Sequence, residues 1–276
     1  MIELIDTHSH LYLPQFSDDR DEVVGRAAKA GVSAILLPNI NNGSLPQMRD
    51  VVNRYKGICM PMLGLHPTSV NERFEEEFEE IFKQRDNIPI VAIGETGIDL
   101  YWDKTHIDKQ KESFKRHIEI SLDMDLPLVV HARDSFEEIF AVLDHYKGSR
   151  LRGVFHAFSG GPHELERVLG AGFMVGAGGM ITFKNSDVAS TIGRASLAEI
   201  VLETDSPYLA PDPYRGKRNE SSWLTVINRR LAEIFGVDEE TSAKETSANA
   251  KALFGMEIVP CKAEKSNHEQ NGEGGR

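Results

Sequence analysis

Cysteine is scarce in this 276-residue chain, whose only two, Cys59 and Cys261, lie far apart and show no pairing pattern. We therefore expect no disulfide and a reducing, cytoplasmic location. No apolar run approaches the roughly 20 residues that a helix needs to cross a bilayer. No basic segment followed by a long apolar stretch opens the sequence, so we also expect no signal peptide and no membrane partner.

Basic residues are fewer than acidic ones, since 31 basic residues and 43 acidic residues give a formal net charge of −12. A protein that coats nucleic acid normally presents a broad basic face, so the composition excludes that class. It does not exclude an enzyme that holds phosphates in one pocket filled with divalent cations, since those ions supply the local positive charge.

Three common catalytic signatures are missing as well. No G-x-G-x-x-G turn follows the first strand, no Gly-Lys-Ser/Thr follows a glycine-rich loop, and no G-x-S-x-G elbow occurs. The chain thus lacks the usual sequence marks of a dinucleotide-binding domain, a P-loop nucleotidase and an α/β-hydrolase.

Short apolar or β-branched runs alternate with amphipathic stretches along most of the chain. The predicted strands are residues 2–6, 32–38, 58–65, 89–94, 126–130, 152–155, 173–175 and 200–203. The predicted helical segments are residues 20–30, 74–85, 107–124, 135–145, 162–169, 187–195 and 221–253. This alternation favours parallel pairing. Eight units predict an α/β fold, a closed (β/α)8 TIM barrel over residues 1–258, with a doubly wound open sheet as the alternative. The polar tail 259–276 is predicted to be disordered.

Ionisable side chains recur at the ends of the predicted strands, where a TIM barrel carries its active site. They are His8, His10, His66, Glu95, His131, Arg133, His156, Glu203 and Asp205. Because strand side chains alternate between faces, Val91, Ile93 and Glu95 are expected to share one face. A carboxylate above an apolar interior is costly unless it is paired, hydrogen-bonded or bound to metal.

Four imidazoles and two carboxylates at one mouth supply ligands for two divalent cations. We expect Glu95 to bridge the two ions. The other expected ligands come from neighbouring strand ends: His8, His10 and Asp205 for one ion, and His131 and His156 for the other. Mixed nitrogen and oxygen ligands suit Zn²⁺, Mn²⁺, Fe²⁺ or Co²⁺ better than Mg²⁺, but Mg²⁺, Mn²⁺ and Zn²⁺ all stay open.

Each strand-end residue also has an ordinary explanation when taken alone. A histidine after a buried strand can be a core residue, Glu95 can cap a helix, and Asp205 can begin a turn. Their shared placement favours the metal site. The remaining histidines on helical or loop segments are predicted to be surface residues: His106, His117, His145 and His163.

Six segments, in order, carry a family resemblance: DTHSHL, GLHP, GETGID, HARD, HAFSG and ETDSPYLAP followed by RGKRNE. With them the chain resembles the TatD family of metal-dependent deoxyribonucleases, in the amidohydrolase-like barrel superfamily. The resemblance implies a two-metal hydrolytic centre with the six ligands above and without a carbamylated lysine. The chain departs from the common family pattern at NESSW, where proline often follows Asn-Glu, and at Ala157, where cysteine is frequent. Neither departure removes a ligand, although the first alters the substrate rim.

We therefore predict a deoxyribonuclease that cleaves phosphodiester bonds with a metal-activated water, as a 3′–5′ exonuclease with DNA as its substrate. Asp205 is predicted to accept the proton of the attacking water. His66 is predicted to contact the scissile phosphate or to protonate the leaving oxygen. Two acids are expected to orient metal ligands from behind, Asp6 and Glu203.

Basic side chains near the mouth are predicted to hold phosphate charge. Arg133 is expected to act on the reacting phosphoryl group, and Arg215, Lys217 and Arg218 form a loop that either grips a neighbouring phosphate or is a solvated turn. Two other functions stay open: an amide, ester or lactone hydrolase, including one that deacylates aminoacyl-tRNA, and a non-catalytic metal-dependent binding protein. We expect a monomer or a weak oligomer.

Overall fold

The computed structural model describes residues 2–256, and eight short strands form its centre. They are β1 Leu4–Asp6, β2 Val32–Pro38, β3 Cys59–Leu63, β4 Ala92–Asp99, β5 Leu128–Arg133, β6 Gly153–Phe155, β7 Phe173–Ala177 and β8 Ile200–Leu202. All neighbours pair in parallel and in sequence order from β1 to β8. The predicted tail lies outside the described residues, so the boundary at residue 258 stays a prediction.

One helix follows each of the first seven strands, and two follow β8. They are α1 Arg20–Lys29, α2 Leu45–Arg54, α3 Phe74–Phe82, α4 Ile107–Met124, α5 Phe136–Leu143, α6 Pro162–Gly170, α7 Val188–Ile192, α8 Leu224–Phe235 and α9 Glu239–Phe254. Helix α2 was not among the predicted helical segments. The single predicted block 221–253 consists of two helices, α8 and α9, because Gly236, with φ 66°, ends α8. None of the helices described combines the length and the apolar character needed to cross a membrane.

Hydrogen bonds between the first and last strands close the sheet. The Thr7 amide donates to the Leu202 carbonyl at 3.0 Å, and further up the Asp205 amide donates to the His8 carbonyl at 2.9 Å. The His10 amide donates to the Ser206 carbonyl at 2.7 Å. The predicted TIM barrel is therefore confirmed, and the open-sheet alternative is wrong.

Apolar side chains fill the barrel interior and its N-terminal end. The interior cluster contains Ile5, Ala34, Leu36, Met62, Ala92, Val129, Val154 and Val201. Leu253 and Phe254 at the end of α9, with Met256, belong to the same cluster, so α9 closes that end of the barrel. A second, larger cluster lies between the strands and the surrounding helices.

The side-chain alternation from which the face of Glu95 was predicted is wrong. Ala92 belongs to the interior cluster and Ile93 to the outer one, so simple alternation from Ile93 would turn Glu95 away from the barrel axis. The pairing of β4 with β5 shifts register between Ile93 and Thr96, and Gly94 within this irregularity has φ 146°. This irregularity, which suits glycine, brings Glu95 to the mouth of the barrel.

Candidate metal centre at the barrel mouth

Glu95 is the centre of the polar cluster and is 1% exposed. Its Oε2 atom lies 3.2 Å from His8 Nε2 and 3.7 Å from His10 Nε2. Asp205 Oδ1 completes this side, at 3.8 Å from His8 Nε2 and 3.5 Å from His10 Nε2. Three strand ends thus bring two imidazoles and two carboxylates together around one point.

The other oxygen of Glu95 faces a separate group of imidazoles. Oε1 lies 2.9 Å from His131 Nδ1 and 2.6 Å from His156 Nε2. The two imidazole nitrogens are themselves 3.1 Å apart. The two oxygens of one carboxylate therefore serve two different sets of donor atoms.

These spacings match those of metal ligands. Nitrogen and oxygen atoms that bind one cation at about 2.0–2.2 Å lie roughly 3 Å from one another. Although His8 Nε2 and Glu95 Oε2 are 3.2 Å apart, neither makes a hydrogen bond with any described residue, and both are buried. A buried nitrogen and a buried carboxylate oxygen without partners are costly, and a shared cation removes that cost.

The hydrogen bonds behind two of the imidazoles fix which ring nitrogen is free. Tyr12 Oη donates to the Pro38 carbonyl at 2.6 Å, so its oxygen accepts from His10 Nδ1 at 2.9 Å. The lone pair of His10 Nε2 then faces Glu95 and Asp205. His131 donates from Nε2 to Asp99 Oδ2 at 2.9 Å, so its Nδ1 lone pair faces Glu95. Both rings are held in the tautomer that a metal requires.

His66 is held in the opposite tautomer. The Thr68 amide donates to His66 Nδ1 at 3.1 Å, so the neutral ring carries its proton on Nε2. That Nε2 atom faces the cluster, 3.3 Å from Glu95 Oε1. His66 is accordingly set to donate a hydrogen bond into the site, although its position also groups it with Glu95 and His131 as a potential ligand.

Burial and charge act against each other at the centre. Burial acts to raise the pKa of Glu95, but His156, His66 and His8 together hold it well below its usual value. Burial lowers the pKa of His8 to about 4, so this ring is neutral near pH 7. An ionised carboxylate beside a neutral imidazole is the donor combination that divalent cations bind.

The two predicted supporting acids are both buried beneath the cluster. Asp6 accepts from Thr204 Oγ1 at 2.7 Å and from the Thr204 amide at 2.9 Å, which fixes the chain just before Asp205. Glu203 accepts a hydrogen bond from the Ala157 amide and lies 3.9 Å from His156 Nδ1. Burial raises the pKa of Glu203 to about 8. A Cβ atom at Gly176 would strike the Glu203 carboxylate, so this glycine of the GAGGM segment makes room for it.

Backbone strain is concentrated around the same mouth. Asp205 has φ 54° and Ala157 has φ 43°, in the left-handed region that residues other than glycine rarely adopt. Asp134 and Leu209, with φ 54° and 49°, line the same cavity. Strained residues of this kind cluster at functional sites, where the surrounding structure holds them in place.

The predicted basic contacts are only partly at the mouth. Arg133 lines the cavity, with its guanidinium 3.9 Å from the centre of the Tyr101 ring. Arg215 lies over Phe183 and Lys217 over Tyr214, at 3.9 Å and 5.5 Å, and neither lines the cavity. Arg218 is ion-paired with Asp19 at 2.7 Å, so its charge is already compensated and the prediction that it grips a phosphate is not supported by this geometry.

One of the four supposed surface histidines is buried. His117 on α4 is 0% exposed. Its Nε2 accepts from the Leu65 amide at 3.0 Å, and its Nδ1 donates to the Ser113 carbonyl at 2.7 Å. The surface prediction is wrong for His117 because its helix turns this position toward Phe78 and Phe82. It links the end of β3 to α4.

The family follows from a comparison of the whole barrel with known proteins. The TatD-related DNase family model matches residues 5–255. The chain belongs to that TatD family. A metal-dependent hydrolase of Bacillus subtilis, YabD, is 32% identical over 252 residues, covering 91% of this chain and 98% of the relative. The 3′-5′ ssDNA/RNA exonuclease TatD of Erwinia amylovora is 29% identical, covering 92% of this chain and all of the relative.

Solved TatD structures share the fold. YjjV, a TatD homologue of Escherichia coli, superposes with a TM-score of 0.86 at 27% identity and covers 93% of this chain and 99% of its own. A TatD-family hydrolase of Entamoeba histolytica gives a TM-score of 0.81 at 21% identity, which concerns the fold alone. The prediction of a TatD-family metal-dependent hydrolase is confirmed, so the non-catalytic alternative is no longer needed.

Three residues that line the barrel mouth were not predicted from the sequence. Asp99 lies at the end of β4 and bonds His131. Tyr101 and Trp102 follow it and line a cavity of about 900 Å³ above the polar cluster. The available signal was Asp99 itself, the second acid of the GETGID segment, four residues after Glu95.

Proposed function

We propose that the barrel mouth binds two divalent cations. The first would be held by His8, His10 and Asp205, the second by His131 and His156, with Glu95 shared between them. The proposal rests on the two carboxylate oxygens of Glu95, which face different imidazoles. Oε2 lies close to His8, and Oε1 lies close to His131 and His156. The mixed imidazole and carboxylate set suits Mn²⁺ or Zn²⁺, and Mg²⁺ stays open.

When bound, two cations supply Lewis-acid charge that stabilises the transition state of phosphodiester hydrolysis. Two side chains then act on protons. Asp205 stays ionised, since His10 and His8 outweigh burial and lower its pKa, and we assign it to accept the proton of the attacking water. His66 carries its Nε2 proton toward the site and donates it to a phosphate oxygen or to the leaving oxygen.

We further propose DNA as the substrate and removal of nucleotides from a 3′ end. Support comes from the family and from relatives such as the Erwinia amylovora exonuclease. The cavity of about 900 Å³ is large enough for a nucleotide or two at a strand end. Arg133 at its edge is placed to contact a phosphate or a base, whereas Arg215 and Lys217 serve a strand that runs beyond the cavity.

The test is digestion of end-labelled oligonucleotides after chelation and re-addition of single metals. We expect activity only with metal restored, and a label at the 5′ end should remain on progressively shorter products. His131→Ala should reduce the rate by about a thousand-fold in a folded protein. His163→Ala, a change at an exposed histidine of α6, is the matched control. Undiminished activity of His131→Ala would overturn the assignment.

The same purified protein can be used to distinguish the phosphodiesterase from the alternative amide, ester or lactone hydrolase. Charged tRNA and small esters are offered beside DNA and RNA under each metal. Deacylation of tRNA, or ester hydrolysis without any cleavage of oligonucleotides, would replace the phosphodiesterase proposal and leave the metal centre intact.

A further inference from the structure

We infer that Tyr101 and Trp102 form a stacking site for an unpaired nucleobase next to the metal centre. This rests on the proposed function, because it assigns a nucleic-acid strand to the same cavity. Among residues 2–256, three large hydrophobic side chains are exposed: Tyr101 at 55%, Trp102 at 71% and Tyr208 at 48%. All three line the one cavity above Glu95. Exposed aromatic rings gathered at one site indicate a ligand with flat apolar faces.

The aromatic turn, residues 100–103, is fixed to the metal centre by Asp99. The Tyr101 and Trp102 amides donate to Asp99 Oδ1 at 3.0 Å and 3.4 Å, while Asp99 Oδ2 accepts from His131. Gln110 of α4 holds the Asp99 backbone at both its amide and its carbonyl. The backbone that carries the two aromatic rings is therefore fixed relative to His131 by one carboxylate.

Arg133 completes the stacking site. Its guanidinium lies 3.9 Å from the centre of the Tyr101 ring and 5.4 Å from that of Trp102. The backbone supports this arrangement, since the Leu100 amide donates to the Arg133 carbonyl at 2.9 Å. Arginine stacked on aromatic rings adds a planar cation to the surface that a base contacts. The Trp102 ring, which is the most exposed, is left as the principal platform.

The charge around the cavity makes base contacts necessary. Within the described residues, Arg133 is the one lysine or arginine that lines it, against Glu95, Asp99, Asp134 and Asp205. Together with the net charge of −12, this leaves little electrostatic attraction for phosphates inside the cavity apart from that of the metal site. Binding energy must then come from bases, and a base in a duplex is already stacked and cannot reach the Trp102 ring. The site therefore selects single-stranded ends.

Binding is measured by the fluorescence of Trp102. The chain has two tryptophans, and Trp223 is stacked on Tyr214 at 4.4 Å outside the cavity, so Trp223→Phe leaves Trp102 as the single reporter. The probes are a phosphorothioate hexathymidylate, an abasic strand of equal length, and a blunt duplex, each with Mg²⁺. We expect quenching by the hexathymidylate alone, with a shallow salt dependence. Equal quenching by the abasic strand would overturn the inference.

Kinetics provide an independent test on natural single-stranded DNA. Trp102→Ala should raise KM by roughly ten-fold and leave kcat within two-fold, and Trp102→Phe should recover most of the loss. Cleavage of the abasic strand should be equal in the wild type and in Trp102→Ala. If both enzymes cleave thymidylate with the same KM, the stacking site is wrong and the proposed function stands. If no strand is cleaved under any metal but Trp102 is still quenched by bases, the proposed function fails and the stacking site stands.

Discussion

At the N-terminal end of the barrel, Ile5, Leu36 and Val201 belong to one apolar cluster with Phe254 of α9. At the other end, His8 Nε2 and Glu95 Oε2 are buried without hydrogen bonds, and the surrounding backbone is strained. The same eight strands connect the two ends. The apolar end therefore supplies the stability that allows the polar end to hold uncompensated groups for a ligand.

The largest effect on the polar end is expected from a substitution of Glu95. In Glu95→Gln one carboxylate oxygen becomes an amide nitrogen that cannot bind a cation, so we expect a loss of about a thousand-fold in metal-dependent hydrolysis. Circular dichroism should show a folded barrel, because the substitution keeps the shape and removes a buried charge. Glu137→Gln, an exposed change on α5, is the control. A rate within ten-fold of the wild type would remove Glu95 from the centre.

The opposite end is tested by Phe254→Ala. Phe254 is 4% exposed, and its removal leaves a cavity that should lower the free energy of unfolding by about 3–5 kcal/mol. Urea denaturation measures the loss, while activity below the transition should remain. The matched aromatic at the mouth, Trp102→Ala, should cost less than about 0.5 kcal/mol because the ring is exposed. Similar losses from the two variants would contradict the division between the ends.

Asp99→Asn gives a smaller effect at the mouth. The amide can still accept from Tyr101 and Trp102 through its oxygen, but it holds His131 less well, so the metal concentration needed for half activity should rise by about 10–100-fold. Activity is measured across a metal titration. Asp103→Asn changes the next acid of the same turn and should leave the titration where it is. An unchanged requirement in Asp99→Asn would show that His131 needs no orienting carboxylate.

His117 tests a buried histidine that belongs to neither end. Burial lowers its pKa to about 4 from 6.5, so the unfolded chain binds a proton below pH 6.5 that the folded chain does not. The contribution of His117 to stability is present above pH 6.5 and is lost toward pH 4, by roughly 2 kcal/mol at pH 5. His117→Ala should be less stable at pH 7 by about 1–3 kcal/mol, because the Leu65 amide loses its partner.

The free energy of unfolding of the wild type and of His117→Ala is measured in urea at pH 7 and at pH 5. The difference in this free energy between the two proteins should be smaller at pH 5, since the variant lacks the titrating ring. His145→Ala, an exposed histidine, should follow the wild type at both values. A difference of constant size would show that folding does not lower the pKa of His117.

Much of the fold is predictable from the sequence, but some elements and their ends are not. All eight strands were found because buried parallel strands are continuous apolar runs. Helix α2 was missed because Asn41–Asn42–Gly43 and Pro46 resemble a loop, although Ser44 and Pro46 are also typical of a helix start. The end of β4 was placed at Gly94, five residues early, since two glycines and a shift of register interrupt its pattern.

The six candidate ligands were predictable because the ends of parallel strands meet at one mouth. The tautomers of His10 and His66 were not, because they depend on Tyr12, the Pro38 carbonyl and Thr68, which no spacing rule connects to the rings. The burial of His117 was also out of reach, since helical periodicity gives two faces without saying which one the barrel covers. Asp99 was within reach, as a second acid of the same segment, and went unused.

The closure of β1 against β8 also sets the order in which the centre can form during synthesis. Thr7 and Leu202 are 195 residues apart in sequence, and each lies next to a proposed metal ligand, His8 on one side and Asp205 on the other. At about 5–20 residues per second, a ribosome needs roughly 10–40 seconds to go from the first to the second. A nascent chain therefore carries only part of the proposed metal site until its last strand is released.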